Sequence, residues 1–219
     1  MGQLIVIDGL DGSGKATQTQ FLFKKLLKVD KNTLRISFPN YDDDSSILVK
    51  MYLNGELGSK PDSVNAYAAS SFYAVDRYVS YKKYWEDKYL SDFNIICDRY
   101  VTSNLIHQMS KLETSDWEYF INWVSDYEYN KLALPKPNKV IYLDLDIDVS
   151  QRLINKRCND KKIEKDIHEN NMNYLKKCRK AAHYIAKKEN WNIVSCCDEE
   201  GNIFSKEDLS NKIFKIVTG

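Results

Sequence analysis

Short apolar runs recur along the chain, separated by longer stretches in which apolar positions return every third or fourth residue. "LIVID" (4–8), "TLRISF" (33–38), "FNIICD" (93–98), "KVIYLDL" (139–145) and "WNIVS" (191–195) read as five β-strands. Several are apolar almost throughout, the pattern of strands covered on both faces. Residues 17–28 place Leu22, Phe23, Leu26 and Leu27 at helical spacing, with Lys24, Lys25 and Lys28 near the end that favours cations. Residues 64–90, 114–130, 166–189 and 206–217 read as further helices. In the first of these, Ala68, Phe72 and Val75 lie near one stripe and Asp76 and Arg77 near another. Alternating strands and helices predict an α/β domain: a doubly wound, five-stranded parallel sheet with helices on both faces.

Two segments break the pattern. Residues 38–64 carry Pro39, Gly55, Gly58 and Pro61 and read as a helix plus loop lying over a site. "NKRCNDKKIEKDIHE" (155–169) is charged and poor in apolar residues, and reads as a mobile lid or disordered loop. With no internal repeat and no Pro/Gly/Ser linker, one domain over 1–219 is expected.

Charge narrows the partners. There are 32 basic and 31 acidic residues, for a formal charge of +1, so no net field draws the chain to a nucleic-acid polymer or an anionic membrane. Anion binding must come from local sites. Five cysteines without CxxC spacing read as reduced thiols of a cytoplasmic protein rather than a zinc site. No apolar run approaches the ~20 residues that span a bilayer. "MGQLIV" has Val6 where an N-myristoylation signal needs Ser or Thr, and no leader pattern precedes Leu4.

The chemistry is concentrated after the first strand. Gly9, Leu10, Asp11, Gly12, Ser13, Gly14 and Lys15 match G-x-x-x-x-G-K between an apolar strand and an amphipathic helix. Glycines permit the backbone approach that turns several N–H groups toward one phosphate, the helix N-terminus adds partial positive charge, and Lys15 reaches the β and γ phosphates. A plain glycine turn has no use for that lysine. The next residue, Ala16, departs from the Ser or Thr whose hydroxyl ordinarily helps to hold Mg²⁺. Thr17 cannot substitute, because successive helical residues point about 100° apart. Asp11 is the nearest carboxylate, though Asp is also an ordinary turn residue.

The third strand ends in "DRYVTSNLIHQ" (98–108), which puts Asp98 and Arg99 where open α/β sheets bind ligands. Arginine's planar fork suits a phosphate bridging two nucleotides. An Asp-Arg pair alone is usually a surface ion pair. Beside the loop it becomes a second half of a nucleotide site.

With these motifs in hand, the chain resembles the thymidylate kinase family of P-loop nucleoside monophosphate kinases, over residues 4 to about 186. The resemblance rests on "DGLDGSGKATQ", on "FPN" (38–40), on "ASSFYAVDRY" (69–78), on "DRYVTSNLIHQ", and on "DVSQR" followed by a basic stretch and "DIHE". It implies transfer of the γ-phosphate of ATP to dTMP, giving dTDP, with Mg²⁺ and in a homodimer. It implies that Asp11 meets the sugar and assists the metal, and that Phe38 and Pro39 shape the acceptor site. Phe72 would stack on the base, with Arg77 and Asn104 at its edge and Ser103 and His107 lining the pocket. Arg99 would bridge the two phosphoryl groups, and Asp98 would order that arginine or the metal waters. Arg152 would lie on the adenine, and Arg157 would serve the transition state from the lid. Glu169 is a second expected metal ligand. The residue chemistry is compatible: Phe72 offers a flat face, although an amphipathic helix also buries such a residue in its core, and Asn104 offers both a donor and an acceptor.

The departures bear on specificity. Asn40 and Tyr41 stand where the family often has an arginine after Phe-Pro, so phosphate grip falls to Arg99 and Lys15. His107 replaces an aromatic beside the sugar 2′ position. Gly12 replaces a catalytic arginine found in some members, which leaves the cation to the lid, where Arg152, Arg157, Lys161 and Lys162 are available. A monophosphate kinase of other base preference, or a catalytically weak nucleotide-binding regulator, stays open at this point.

Overall fold

A computed structural model describes residues 2–161, 171–198 and 200–219; the side chains of residues 156, 157 and 161 lie outside the description. Five strands form one sheet: β1 (Leu4–Gly9), β2 (Thr33–Ser37), β3 (Asn94–Asp98), β4 (Lys139–Asp144) and β5 (Asn192–Ser195). Their order is β2-β3-β1-β4-β5, and every neighbouring pair is parallel. Each expected strand is present, within a residue or two at its ends.

The two faces separate by the strand period. Leu4 and Val6 face one core with Ile95, Cys97, Trp85 and Phe120, whereas Ile5 and Ile7 face the other with Ile96, Leu22, Ile213 and Val217. All are almost completely buried. Each such aliphatic or aromatic side chain stabilises the fold by roughly 1.5–3 kcal/mol. Helices α1 (Lys15–Val29) and α8 (Lys206–Thr218) supply Leu22, Ile213 and Val217 to the second core.

The connection after β2 holds a 3₁₀ turn and the short helix α2 (Ile47–Leu53). Helix α3 (Ala66–Ser80) is N-capped by Asn65, whose carboxamide oxygen accepts from Ala68 N at 2.9 Å. The expected 64–90 helix is continuous only in outline. A π-helical turn, Tyr81–Trp85, joins α3 to α4 (Glu86–Leu90) and turns Trp85 between Tyr81 and Tyr89. Helix α5 (Trp117–Val124) likewise ends in a π-helical segment, Ser125–Lys131.

The charged stretch after β4 differs from its reading as a loop. Helix α6 (Ile147–Lys161) extends through residues 155–161. Its apolar anchors, Ile147, Val149 and Ile154, precede the charged part, and Lys, Arg, Asp and Asn then continue a helix already nucleated. The rest of the expected lid, including Lys162, Glu169 and His168, lies outside the described residues. Helix α7 (Met172–Lys188) returns to β5. Because β1 has β3 on one side and β4 on the other, the chain changes direction across the sheet at the C-terminal end of β1, where open α/β sheets form their ligand crevice.

Candidate active site

The loop after β1 is shaped by close packing and by a left-handed turn. A Cβ on Gly9 would come 2.7 Å from the carbonyl oxygen of Leu143, and Gly14, the cap of α1, has φ 84°. Helix α1 has neither a side-chain cap nor an acidic residue in its first turn. Its first N–H groups, including those of Lys15, Ala16 and Thr17, are left for an anion. Ala16 itself is exposed and Thr17 half-buried.

Lys15 is buried and donates from Nζ to the carbonyl of Leu10 at 2.8 Å, with Asp11 Oδ1 at 3.6 Å. Burial, aided by the nearby Arg99, holds its pKa below the usual lysine value, against the pull of Asp11, Asp98 and Asp8. A phosphate brought to this ammonium would stabilise its charge. Gly12 lies under helix α6: a Cβ there would meet Ser150 O at 3.0 Å, and Ser150 Oγ donates to the carbonyl of Asp11. An arginine at position 12 would crowd that helix and strain a backbone held at φ 81°.

Arg99 closes the site from β3. It stands in the left-handed region at φ 63°. Its Nη2 donates to Asp11 Oδ1, its Nη1 meets His107 Nε2 at 3.0 Å, and Asp8 Oδ1 lies 3.7 Å away. Burial works against the guanidinium's charge, yet Asp11, Asp8 and Asp98 together hold its pKa above the ordinary arginine value. An arginine donor on Nε2 places the His107 proton on Nδ1. Asp98 is buried, and burial raises its carboxyl pKa despite Lys15 and Arg99. Among the described residues no hydrogen bond reaches that carboxylate.

Asp8 escaped the sequence reading because its strand is otherwise apolar. It is completely buried and accepts from Thr102 Oγ1 at 2.7 Å, Ser103 Oγ at 2.8 Å and Gly9 N at 2.8 Å. It therefore ties the phosphate loop to the segment that carries Arg99. Ser103, expected in the substrate pocket, spends its hydroxyl hydrogen on this carboxylate.

The Phe-Pro corner is tightly packed. Phe38 is only 4% exposed and its ring lies 6.0 Å from that of Tyr100. Pro39, half-buried, follows a cis peptide bond. Beyond it, Asp76 on α3 accepts from Asn40 N at 3.0 Å and Ser45 Oγ at 2.7 Å. The acidic run there pairs internally: Asp43 accepts from Lys83 at 2.5 Å and from Tyr84.

At the far end of the crevice, Arg77 and Asn104 come together, both buried. Arg77 grips Glu128 with Nε and Nη2, each at 2.7 Å. Asn104 sits in a π-helical turn, Asn104–Gln108, and donates to the same carboxylate. Phe72 is half-buried on α3, but five residues from Arg77 it lies about 140° around the helix. Tyr73, four residues away and also half-buried, shares Arg77's face. It influences the phenol of Tyr174, which donates to the His107 carbonyl at 2.9 Å. Arg152 is exposed on α6, close enough for its charge to act on Cys197. The side chain of Arg157 lies outside the description, as does Glu169.

A glycine-rich phosphate loop opening an uncapped helix, with a paired arginine at the end of the adjacent strand, defines a P-loop nucleotide kinase. The model of the thymidylate kinase family matches residues 7–206. The chain belongs to that family, and its activity is the ATP-dependent phosphorylation of dTMP to dTDP. It is 27% identical over 190 residues to a probable thymidylate kinase of Methanococcus maripaludis, covering 87% of this chain and 80% of the relative. To the thymidylate kinase of Mycobacterium tuberculosis it is 28% identical over 149 residues, 67% and 68% of the two chains. The fold matches thymidylate kinase of Candida albicans with a TM-score of 0.70 at 22% identity, over 99% of this chain and 91% of that one.

Proposed function

We propose that the phosphoryl donor lies on the loop of residues 9–17 and that the monophosphate lies across the ends of β1 and β3. The observation that carries this reading is the chain of contacts Lys15–Asp11–Arg99 beside the uncapped N-terminus of α1. Lys15 turns from the Leu10 carbonyl to the β and γ phosphates of ATP. Arg99, released in part from Asp11, bridges the acceptor phosphate and the transferred group. Asp11 then receives the 3′-hydroxyl of the sugar. Transfer between two phosphates needs alignment and charge neutralisation more than covalent chemistry, and these cations supply both. Arg152 covers the adenine, and Arg157 joins when the lid closes and excludes water.

The residues present fit a hydrated magnesium ion. Asp98 offers a buried carboxylate without a hydrogen-bond donor among the described residues, and Mg²⁺ binds through one or two carboxylates with several retained waters. Among those residues no cluster of three or more His, Cys, Asp or Glu forms a dedicated metal cage. Asp11, the sequence-based ligand, is held by Arg99, and Glu169 remains the second candidate. Bound with ATP, the ion would neutralise charge on the β and γ phosphates.

At the base end, Arg77 and Asn104 face the edge of the pyrimidine, and an aromatic ring of α3 covers its face. Helix geometry favours Tyr73 for that ring over Phe72. His107, fixed by Arg99, stands beside the sugar. A homodimer accords with the family, and a cytoplasmic location accords with the family and with the free thiols of all five cysteines. No helix among the described residues is long and apolar enough to cross a membrane.

The test is diphosphate formation from ATP with dTMP, dUMP, dGMP and UMP. Preference for dTMP supports the reading. Equal use of dGMP would move the base site, and ATP binding without product would favour the nucleotide-binding regulator.

A further inference from the structure

Glu128 is completely buried, and no step of phosphoryl transfer uses it. It lies in the π-helical segment Ser125–Lys131, "SDYEYNK", polar on either side of it. In the fold its carboxylate is the hub of the base pocket. Arg77 Nε donates to Oε2 at 2.7 Å and Nη2 to Oε1 at 2.7 Å. Asn104 Nδ2 donates to the same Oε1 at 2.8 Å and to the Ser70 carbonyl at 3.3 Å.

Both amide hydrogens of Asn104 are thus spent inside the protein. The orientation of that amide is forced, because turning it over would set its oxygen against a carboxylate and a carbonyl, two acceptors. What Asn104 has left for a base is Oδ1, an acceptor. Arg77 has only donors: Nη1 reaches the Tyr100 carbonyl at 3.3 Å, and an N–H remains on each of Nη1 and Nη2. The pocket therefore offers a donor beside an acceptor, with the order set by one carboxylate.

We infer that Glu128 is the positioning residue for base selection: by holding Arg77 and Asn104 together it makes the pocket accept a base edge with a carbonyl next to a ring N–H, and reject one with an amino group next to an unprotonated ring nitrogen. Thymine and uracil have the first edge, and cytosine has the second. Guanine shares the carbonyl and N–H order, so its exclusion falls to ring size. The inference rests on the assignment of Arg77 and Asn104 to the base made above.

The experiment compares kcat/KM for dTMP, dUMP and dCMP at saturating ATP in the native chain and in Glu128→Gln. The glutamine oxygen keeps Arg77 Nε, while its NH₂, at the position shared by Arg77 Nη2 and Asn104, gives up Nη2 and turns the Asn104 amide over at the cost of its longer contact to the Ser70 carbonyl, presenting Nδ2 to the base. The preference for dTMP over dCMP falls by about tenfold or more, because a mismatched polar edge leaves buried groups unpaired. The loss sits in KM for dTMP, dUMP follows dTMP, and KM for ATP is unmoved. A loss of stability alone would not separate dCMP from dUMP. A folded variant that keeps its preference to within about twofold overturns the role of Glu128 alone. A native enzyme that uses dCMP as readily as dTMP overturns the base-site assignment and this inference with it. Hydrogen exchange in the unaltered chain decides independently of how the variant folds. The side-chain amide hydrogens of Asn104 exchange about tenfold or more slowly than those of exposed Asn211; equal rates overturn the lock.

Discussion

Arg99, at the end of β3, donates to Asp11 in the loop after β1, so the two halves of the site are joined by an ion pair before any nucleotide arrives. The same guanidinium meets His107 and lies near Asp8. A fork held by three neighbours is positioned for a phosphate, and a lysine in its place would keep the charge and lose the geometry. Arg99→Lys should lower kcat by about 100-fold, the scale of one preorganised contact to a transferring group. Initial rates at saturating ATP and dTMP check this, and a kcat within about threefold of native would remove Arg99 from the transfer step.

Lys15→Ala should cost at least about 100-fold in turnover, or ~3 kcal/mol in the barrier. Its buried ammonium donates to the Leu10 carbonyl and lies 3.6 Å from Asp11, a poor substitute for phosphate. The check is single-turnover transfer with bound ATP. Near-normal rates would show that this loop is not the donor site.

The stacking residue is decided by two adjacent substitutions. Tyr73→Ala should raise KM for dTMP by roughly 1–3 kcal/mol in binding and leave KM for ATP unchanged. Phe72→Ala should change KM for dTMP less, since it lies off the face shared by Tyr73 and Arg77. The reverse ranking would restore Phe72 as the ring beneath the base.

Ala16→Ser restores a hydroxyl on the donor side of the loop. The magnesium concentration for half-maximal rate should fall modestly, with KM for dTMP unmoved, because water already serves a vacant position well. Asp98→Asn should raise it. A magnesium titration at fixed ATP reads both. An unchanged or weaker response in Ala16→Ser would mean that the site has been rebuilt around alanine.

Lys111 pins the connection over the site, donating to Tyr52 Oη at 2.8 Å and to the Val64 carbonyl at 3.0 Å. Burial lowers its pKa from 10.5 to about 8, against the pull of Asp62 and Cys178. Between these values the unfolded chain binds more protons than the native one, so this group makes stability rise with pH from about 8 to 10.5. Lys111→Met should remove that rise. Urea midpoints of both chains at several pH values, taken as a difference, give the result, and parallel curves would contradict it.

The sequence by itself determined what depends on short range. Strand and helix periodicity marked β1 to β5 and most helices. The G-x-x-x-x-G-K spacing located Lys15, and Asp98-Arg99 at a strand end located the second half of the site. These signals are local: a loop between a strand and a helix is built from consecutive residues. Only the tertiary structure decided the rest, because it depends on residues far apart in the chain. The packing of Phe38 against Tyr100 joins residues 62 positions apart. Residues 155–161 looked too charged for order and continue a helix anchored by Ile147, Val149 and Ile154. Glu128 lies in no motif, and Asp8 and Tyr73 lie inside motifs that do not say what they do. Asp8 acquires its role from Thr102 and Ser103, and Glu128 from Arg77 and Asn104. A buried carboxylate is tolerated only where donors converge on it, and whether they converge is settled by how the sheet and helices assemble.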